Sequence, residues 1–214
     1  MPIDFEPMQS EASTRRGTIF LSGSIPDAER WDGDFDALEI TDAVVAFARV
    51  CLTKGFRIVT AAHPTLAPLL MYVAAEFPRP DDPQIVIYQS LLFESVLPTA
   101  TRRFEAEGVG EVVWTEAAGG DEPVPGQWIR SLSAMRQRML HESDPAAAVF
   151  IGGMSGIDDE YRLFTDLYPR RLTYATRRPG GEAARLQVAN VSTGTDLEAS
   201  YPTLWSQFLD RVRL

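Results

Sequence analysis

Short, almost unbroken apolar runs alternate along this chain with longer stretches in which apolar residues step by three and four. The short runs are "TIFLSGS", "FRIVTAA", "QIVIYQS", "GEVVWTEA" and "AAAVFIGG", with "RRLTYAT" as a sixth. A strand buried on both faces shows no polar alternation, so these runs read as strands of a parallel sheet covered on each side. Between them, "EITDAVVAFARVCLTKG" reads as a helix: Ile40, Val44, Phe47, Ala48 and Cys51 share a face, and Gly55 suits its end. "HPTLAPLLMYVAAEF" reads as a loop and then a helix with Pro68 in an early turn. Further helices are expected over "ATRRFEAEG", "QWIRSLSAMRQRMLHES" and "IDDEYRLFTDLYP", a short one over "GGEAARLQ", and a closing one over "PTLWSQFLDRVRL". The expected fold class is α/β: a three-layer sandwich with a mainly parallel central sheet and right-handed crossovers. Residues 1–16 lack a period and read as an arm. No internal repeat, linker or low-complexity block divides residues 17–214, which read as one domain.

Charge narrows the partners. Twenty Lys+Arg stand against 30 Asp+Glu, a formal charge of −10, so duplex nucleic acid would be repelled. A small anion can still be held locally by backbone amides and an arginine or two. Cys51 is the only cysteine, on an apolar helix face, and permits neither an internal disulfide nor a thiolate metal cluster. His63 and His141 are far apart and lack companion ligands, so no metal site and no cofactor is expected. No apolar run suits secretion or a membrane span, which makes a cytoplasmic protein the default expectation.

In an open parallel sheet, ligands bind beyond the carboxyl ends of the strands. Those ends carry Ser22, Gly23 and Ser24; Thr60 and His63; Gln89 and Ser90; Thr115 and Glu116; and the corner Gly152, Gly153, Met154, Ser155 and Gly156. The glycine corner has two readings. It is a tight turn with close strand–helix packing, or a seat where a ligand meets the free amides of the following helix. Asp158 and Asp159 suit the helix dipole, whereas Glu160 could face the cleft and hold ribose hydroxyls. Arg136 and Arg138 lie two apart on one helix and cannot share a face; Arg136 is the one expected to look into the cleft. His141 reads as a charge at a helix end. Trp31, in a polar loop, is the tryptophan placed to stack on a base. No nucleophile-elbow sequence is present.

"MRQRMLHESDPAAAVFIGGMSGIDDE" resembles the core of the SLOG superfamily, the Rossmann-like group that includes the Lonely Guy phosphoribohydrolases and the DprA proteins. Glu142, Ser143 and Asp144 match that family's "ESD" stretch. Gly152 and Gly153 match its paired glycines, and Gly156 and Glu160 match the later glycine and acid of PGGxGTxxE. Ile151 replaces the proline, Ile157 the threonine, and one extra residue precedes Gly156. Met135 stands where the catalytic arginine would fall, and Arg136 where the family has a lysine. "TIFLSGSIP" is also similar to the first strand and turn of nucleoside 2-deoxyribosyltransferase-like proteins. The spelling "FIGGMSGIDDEYRLF" is closest in look to the SLOG branch of bacterial conflict systems.

The resemblance implies a domain that binds or senses a nucleotide-derived ligand, ADP-ribose-like or a nucleoside phosphate, in a bacterial defence system. It would act as a homo-oligomer or with a separately encoded effector. A different expectation is a Lonely Guy-like N-glycosidase with Glu160 and Arg136 as catalytic residues. A third is an assembly protein that keeps the fold without a functional pocket.

Overall fold

A computed structural model of the chain describes residues 16–61, 63–79, 82–124, 126–188 and 199–213. Six strands form one sheet: β1 (Thr18–Ser24), β2 (Arg57–Ala61), β3 (Ile85–Ser90), β4 (Glu111–Thr115), β5 (Ala147–Gly152) and β6 (Leu172–Ala175). Their spatial order is β4-β3-β2-β1-β5-β6, and every pairing is parallel. The chain walks outward from β1 to β4 and then returns to the other side of β1. The sheet therefore has a topological switch between β1 and β5, where neighbouring connections leave in opposite directions and open a crevice.

Side chains alternate across the pleat, so each strand feeds two cores. Ile19, Leu21, Ile58, Ile85, Ile87, Val149 and Ile151 face one layer, made by helices α1 (Ala37–Thr53), α2 (Ala67–Ala74), α3 (Thr99–Ala106) and α6 (Tyr201–Asp210). Phe20, Val59, Val86, Tyr88, Ala148 and Phe150 face the other, made by α4 (Ile129–Ser143) and α5 (Gly156–Leu167). Burial on both faces is why the strands read as continuous apolar runs. Helix α1 starts where the Asp36 carboxylate accepts the Glu39 N–H at 2.9 Å and ends before Gly55, whose φ is +78°. Trp205 of α6 is fully buried between Phe47 and Tyr174 and donates its indole N–H to Ala43 O at 3.0 Å.

One local expectation changes, and one segment that carried none takes a regular form. The run "LLFESV" after β3 is a 3-10 turn (Leu91–Val96), opened by the Ser90 hydroxyl accepting the Leu92 N–H at 3.3 Å. "GGEAARLQ" forms a 3-10 turn over Glu182–Arg185 where a short helix was expected. The arm expected over residues 1–16 lies outside the described residues except for Arg16. Cys51 is buried as its helix face implies, and burial pushes its thiol up. Among the described residues no helix is long and apolar enough to cross a membrane, and no cluster of His, Cys, Asp or Glu could hold a metal ion.

Candidate functional site

At the switch between β1 and β5 the strand ends border a cleft of about 330 Å³, which lies in the size range of small-molecule sites. It runs from α5 across the ends of β1 and β2 to β3. A second, larger hollow of about 730 Å³ shares Arg30, Trp128, Leu132, Arg136, Met154 and Gly156 with it and continues past Trp31 and Ser155.

The glycine pair is a corner built for packing. Gly152 and Gly153 have φ of +62° and +74°. A Cβ on Gly153 would stand 2.2 Å from Ile157 Cγ1, and one on Gly152 would stand 2.7 Å from both Ile40 Cδ1 and Ser24 O. The Gly153 N–H is already spent on Ser24 O at 2.7 Å, and its carbonyl accepts the Glu182 N–H at 2.8 Å. The unspent amides begin one residue later. Ile157 N–H turns back to Met154 O, and Asp158 and Asp159 N–H to Ser155 O. The N–H groups of Met154, Ser155 and Gly156 meet no acceptor among the described residues, and no side chain caps α5. All three residues border one or both hollows. A helix start with free amides on a cleft favours an anion through both hydrogen bonding and the helix dipole.

One helical turn into α5, Glu160 is 6% exposed and doubly held. Its carboxylate accepts Ser22 Oγ–H at 2.5 Å and Arg136 Nε–H at 2.8 Å. Ser22 shares its face of β1 with Phe20, so the pleat alone aims the hydroxyl at the α5 layer. Arg136 also reaches Asp159 at 3.4 Å and Gly156 O at 3.5 Å. This guanidinium therefore braces the start of α5 and fixes the carboxylate at the wall of the cleft. Arg138, two residues on, turns away to Glu142 and Trp114 O.

Other expected residues divide by position. Gly23, Ser24, Thr60, His63, Gln89 and Met154 line the cleft. Ser22 sits behind Glu160 with its hydroxyl occupied. Glu116 is exposed beyond β4, the edge strand, and is not in the lining. His63 Nδ1 faces Thr65, accepting its N–H at 3.3 Å and lying 2.8 Å from its Oγ1. Burial drives the imidazole pKa down from 6.5 to about 4. Glu142, Ser143 and Asp144 act at the end of α4: Glu142 takes bonds from Tyr88 and Arg138, and Asp144 terminates the helix with φ +42°. His141 is exposed in the last turn of α4. Trp31 has one ring face covered by Arg185, 4.3 Å from its centroid.

The sequence pattern missed the apolar wall. Phe93 of the 3-10 turn meets Trp128, just before α4, edge-to-face at 5.4 Å, and Val96, Leu132 and Met135 extend the surface. Phe93 and Trp128 come from loops with no period. The only available signal was the exposed apolar content of "LLFESV", placed between a strand and a helix.

A parallel sheet with this strand order, a glycine corner after β5 and a cleft at the β1–β5 switch define a Rossmann-like α/β protein. Residues 30–209 match the model of the SLOG cluster3 family. The chain belongs to that family. It is similar to the X-ray structure of TM1055, a structural genomics target, with a TM-score of 0.52 and 14% identity over 79% of each chain, a likeness of fold. It also aligns with the Moco carrier protein from Chlamydomonas reinhardtii at 13% identity and a TM-score of 0.34, over 75% of this chain and 90% of that one. No curated protein sequence matches it.

Proposed function

We propose that the protein binds a nucleotide-derived ligand, a nucleoside phosphate or an ADP-ribose-like molecule, across the ends of β5, β1, β2 and β3. The observation that carries this reading is the set of unspent N–H groups of Met154, Ser155 and Gly156 beside a cleft of mononucleotide size. Phosphate sits on these amides with Arg30 nearby. The sugar faces Ser24 and Glu160, and the ring lies on the Phe93–Trp128 wall, whose aromatic faces suit a flat heterocycle. Binding is passed on through a homo-oligomer or a separately encoded effector, in keeping with the conflict-system branch that the sequence resembles.

Thermal-shift titration with AMP, ADP-ribose, NAD and cyclic ADP-ribose tests this. A ligand at a hundred times its Kd adds about 2.7 kcal/mol of stability. Ser155→Asp supplies its own carboxylate where the helix start welcomes one, so the variant folds while phosphate affinity drops about tenfold or more. No shift with any nucleotide, or full shifts in Ser155→Asp, rejects the reading.

The Arg136–Glu160 pair supports a second reading. A carboxylate fixed at a cleft wall could stabilise positive charge developing on a ribose during cleavage of an N-glycosidic bond. Chromatography for free base after incubation with nucleoside monophosphates decides it. Base release that persists in Glu160→Gln assigns the chemistry elsewhere.

A further inference from the structure

We infer that the cleft selects a base whose polar edge offers hydrogen-bond acceptors, an oxo-base nucleotide over its amino counterpart. This narrows the nucleotide reading above and rests on it. Gln89, at the carboxyl end of β3, lines the cleft and is 5% exposed. Its side-chain oxygen accepts the Ser90 N–H at 3.1 Å. A backbone N–H only donates, so this bond decides which end of the amide is oxygen. The NH2 end meets no acceptor among the described residues. The NH2 group is not sealed from solvent, so a ligand entering the cleft that Gln89 lines can replace water on those donors.

His63 adds a second donor on the same cleft. His63 Nδ1 lies 2.8 Å from Thr65 Oγ1 and 3.3 Å from the Thr65 N; with that N–H donating to Nδ1, the ring proton sits on Nε2. Burial keeps the imidazole neutral, so it offers a hydrogen bond without a charge.

The order of the sheet orients the ligand. From the amides after β5 to Gln89 on β3 is three strand spacings, about 14 Å. With phosphate at the α5 end, the ring lies at the β3 end, on Phe93 and Trp128 and within the reach of Gln89. A 6-oxopurine presents N7 and O6 as adjacent acceptors, whereas adenine presents N7 beside the N6 amino donor. Uracil and cytosine differ in the same sense at position 4. Against Gln89, an amino group sets N–H against N–H, and sites built to hydrogen-bond a substrate reject such mismatches strongly.

Calorimetric titration with IMP, AMP, UMP and CMP tests the inference, because each oxo/amino pair shares its sugar and phosphate. The expected result is tenfold or tighter binding of IMP over AMP and of UMP over CMP. Gln89→Glu keeps the Ser90 bond through one oxygen and offers the other as an acceptor, so the preference should reverse. Equal affinities within threefold, or amino bases preferred by the wild-type protein, overturn the inference, as does an unchanged ratio in Gln89→Glu. Should that variant fail to fold, the two wild-type ratios decide alone. Binding without discrimination that Ser155→Asp abolishes leaves the nucleotide reading standing and removes only this one. No binding by any nucleotide removes both.

Discussion

Arg136→Met probes the bond on which the cleft wall depends. In the wild-type protein the Glu160 carboxylate has two side-chain donors, Arg136 at 2.8 Å and Ser22 at 2.5 Å. The Arg136 and Glu160 side chains are 16% and 9% exposed, so water screens the pair little. Methionine keeps much of the apolar stem but strands the carboxylate with one neutral donor. Breaking a buried pair from one side costs about 3–5 kcal/mol. Ser22 remains, so the lower end, about 3 kcal/mol, is expected. In a chain of this size each kcal/mol moves Tm by about 2–4 °C, which predicts a fall of about 6–12 °C. Urea unfolding followed by circular dichroism measures the loss directly. Adding Glu160→Gln removes the stranded charge, so the double variant should be more stable than Arg136→Met alone. A loss under about 1 kcal/mol, with the two single effects adding within about 0.5 kcal/mol, would refute the coupling.

Other consequences are equally open to measurement. In Gly181→Ala the new Cβ would stand 2.5 Å from the Gly152 carbonyl carbon at φ +74°, where backbone cannot yield. Strain and overpacking together predict a loss of about 2–5 kcal/mol in denaturant titration. Gly108→Ala, at φ +72° in open space, should cost only the left-handed strain, about 1–2 kcal/mol; equal losses would contradict the packing of Gly181 on the glycine corner. His63 has its folded pKa depressed from 6.5 to about 4, so the unfolded chain takes up the proton first as pH falls. Its contribution, at most about 3 kcal/mol, is full above pH 6.5 and is lost as pH drops toward 4, and His63→Gln should flatten that part of the stability–pH curve. Burial pushes the Cys51 thiol up, so thiol reagents should modify it only as fast as the protein unfolds. Rapid labelling under native conditions would argue against that burial.

The periods in the chain carried the layers of this fold, since burial on two faces leaves a visible mark on every strand. The sequence also pointed to the strand ends as the candidate site, because that follows from parallel topology whatever the strand order. Within α4, two arginines spaced two apart had to diverge, and Arg136 and Arg138 do. Periodicity is local, however, and the candidate site is assembled from distant parts. Ser22 and Glu160 are 138 residues apart in sequence, and their meeting depends on β5 returning beside β1. The same crossover directs the Gly153 amide to Ser24 O, so the free amides start at Met154 and the paired glycines act as packing. Glu116 is left outside because β4 is an edge strand, a consequence of strand order alone. Phe93 and Trp128 lie in segments without a repeat, and only the closing of one loop over the start of α4 makes them a wall. By itself the sequence determined which segments must be buried, because water acts on each residue where it stands. Tertiary structure decided which buried polar groups find one another, because hydrogen bonds need partners that only the completed sheet brings within reach.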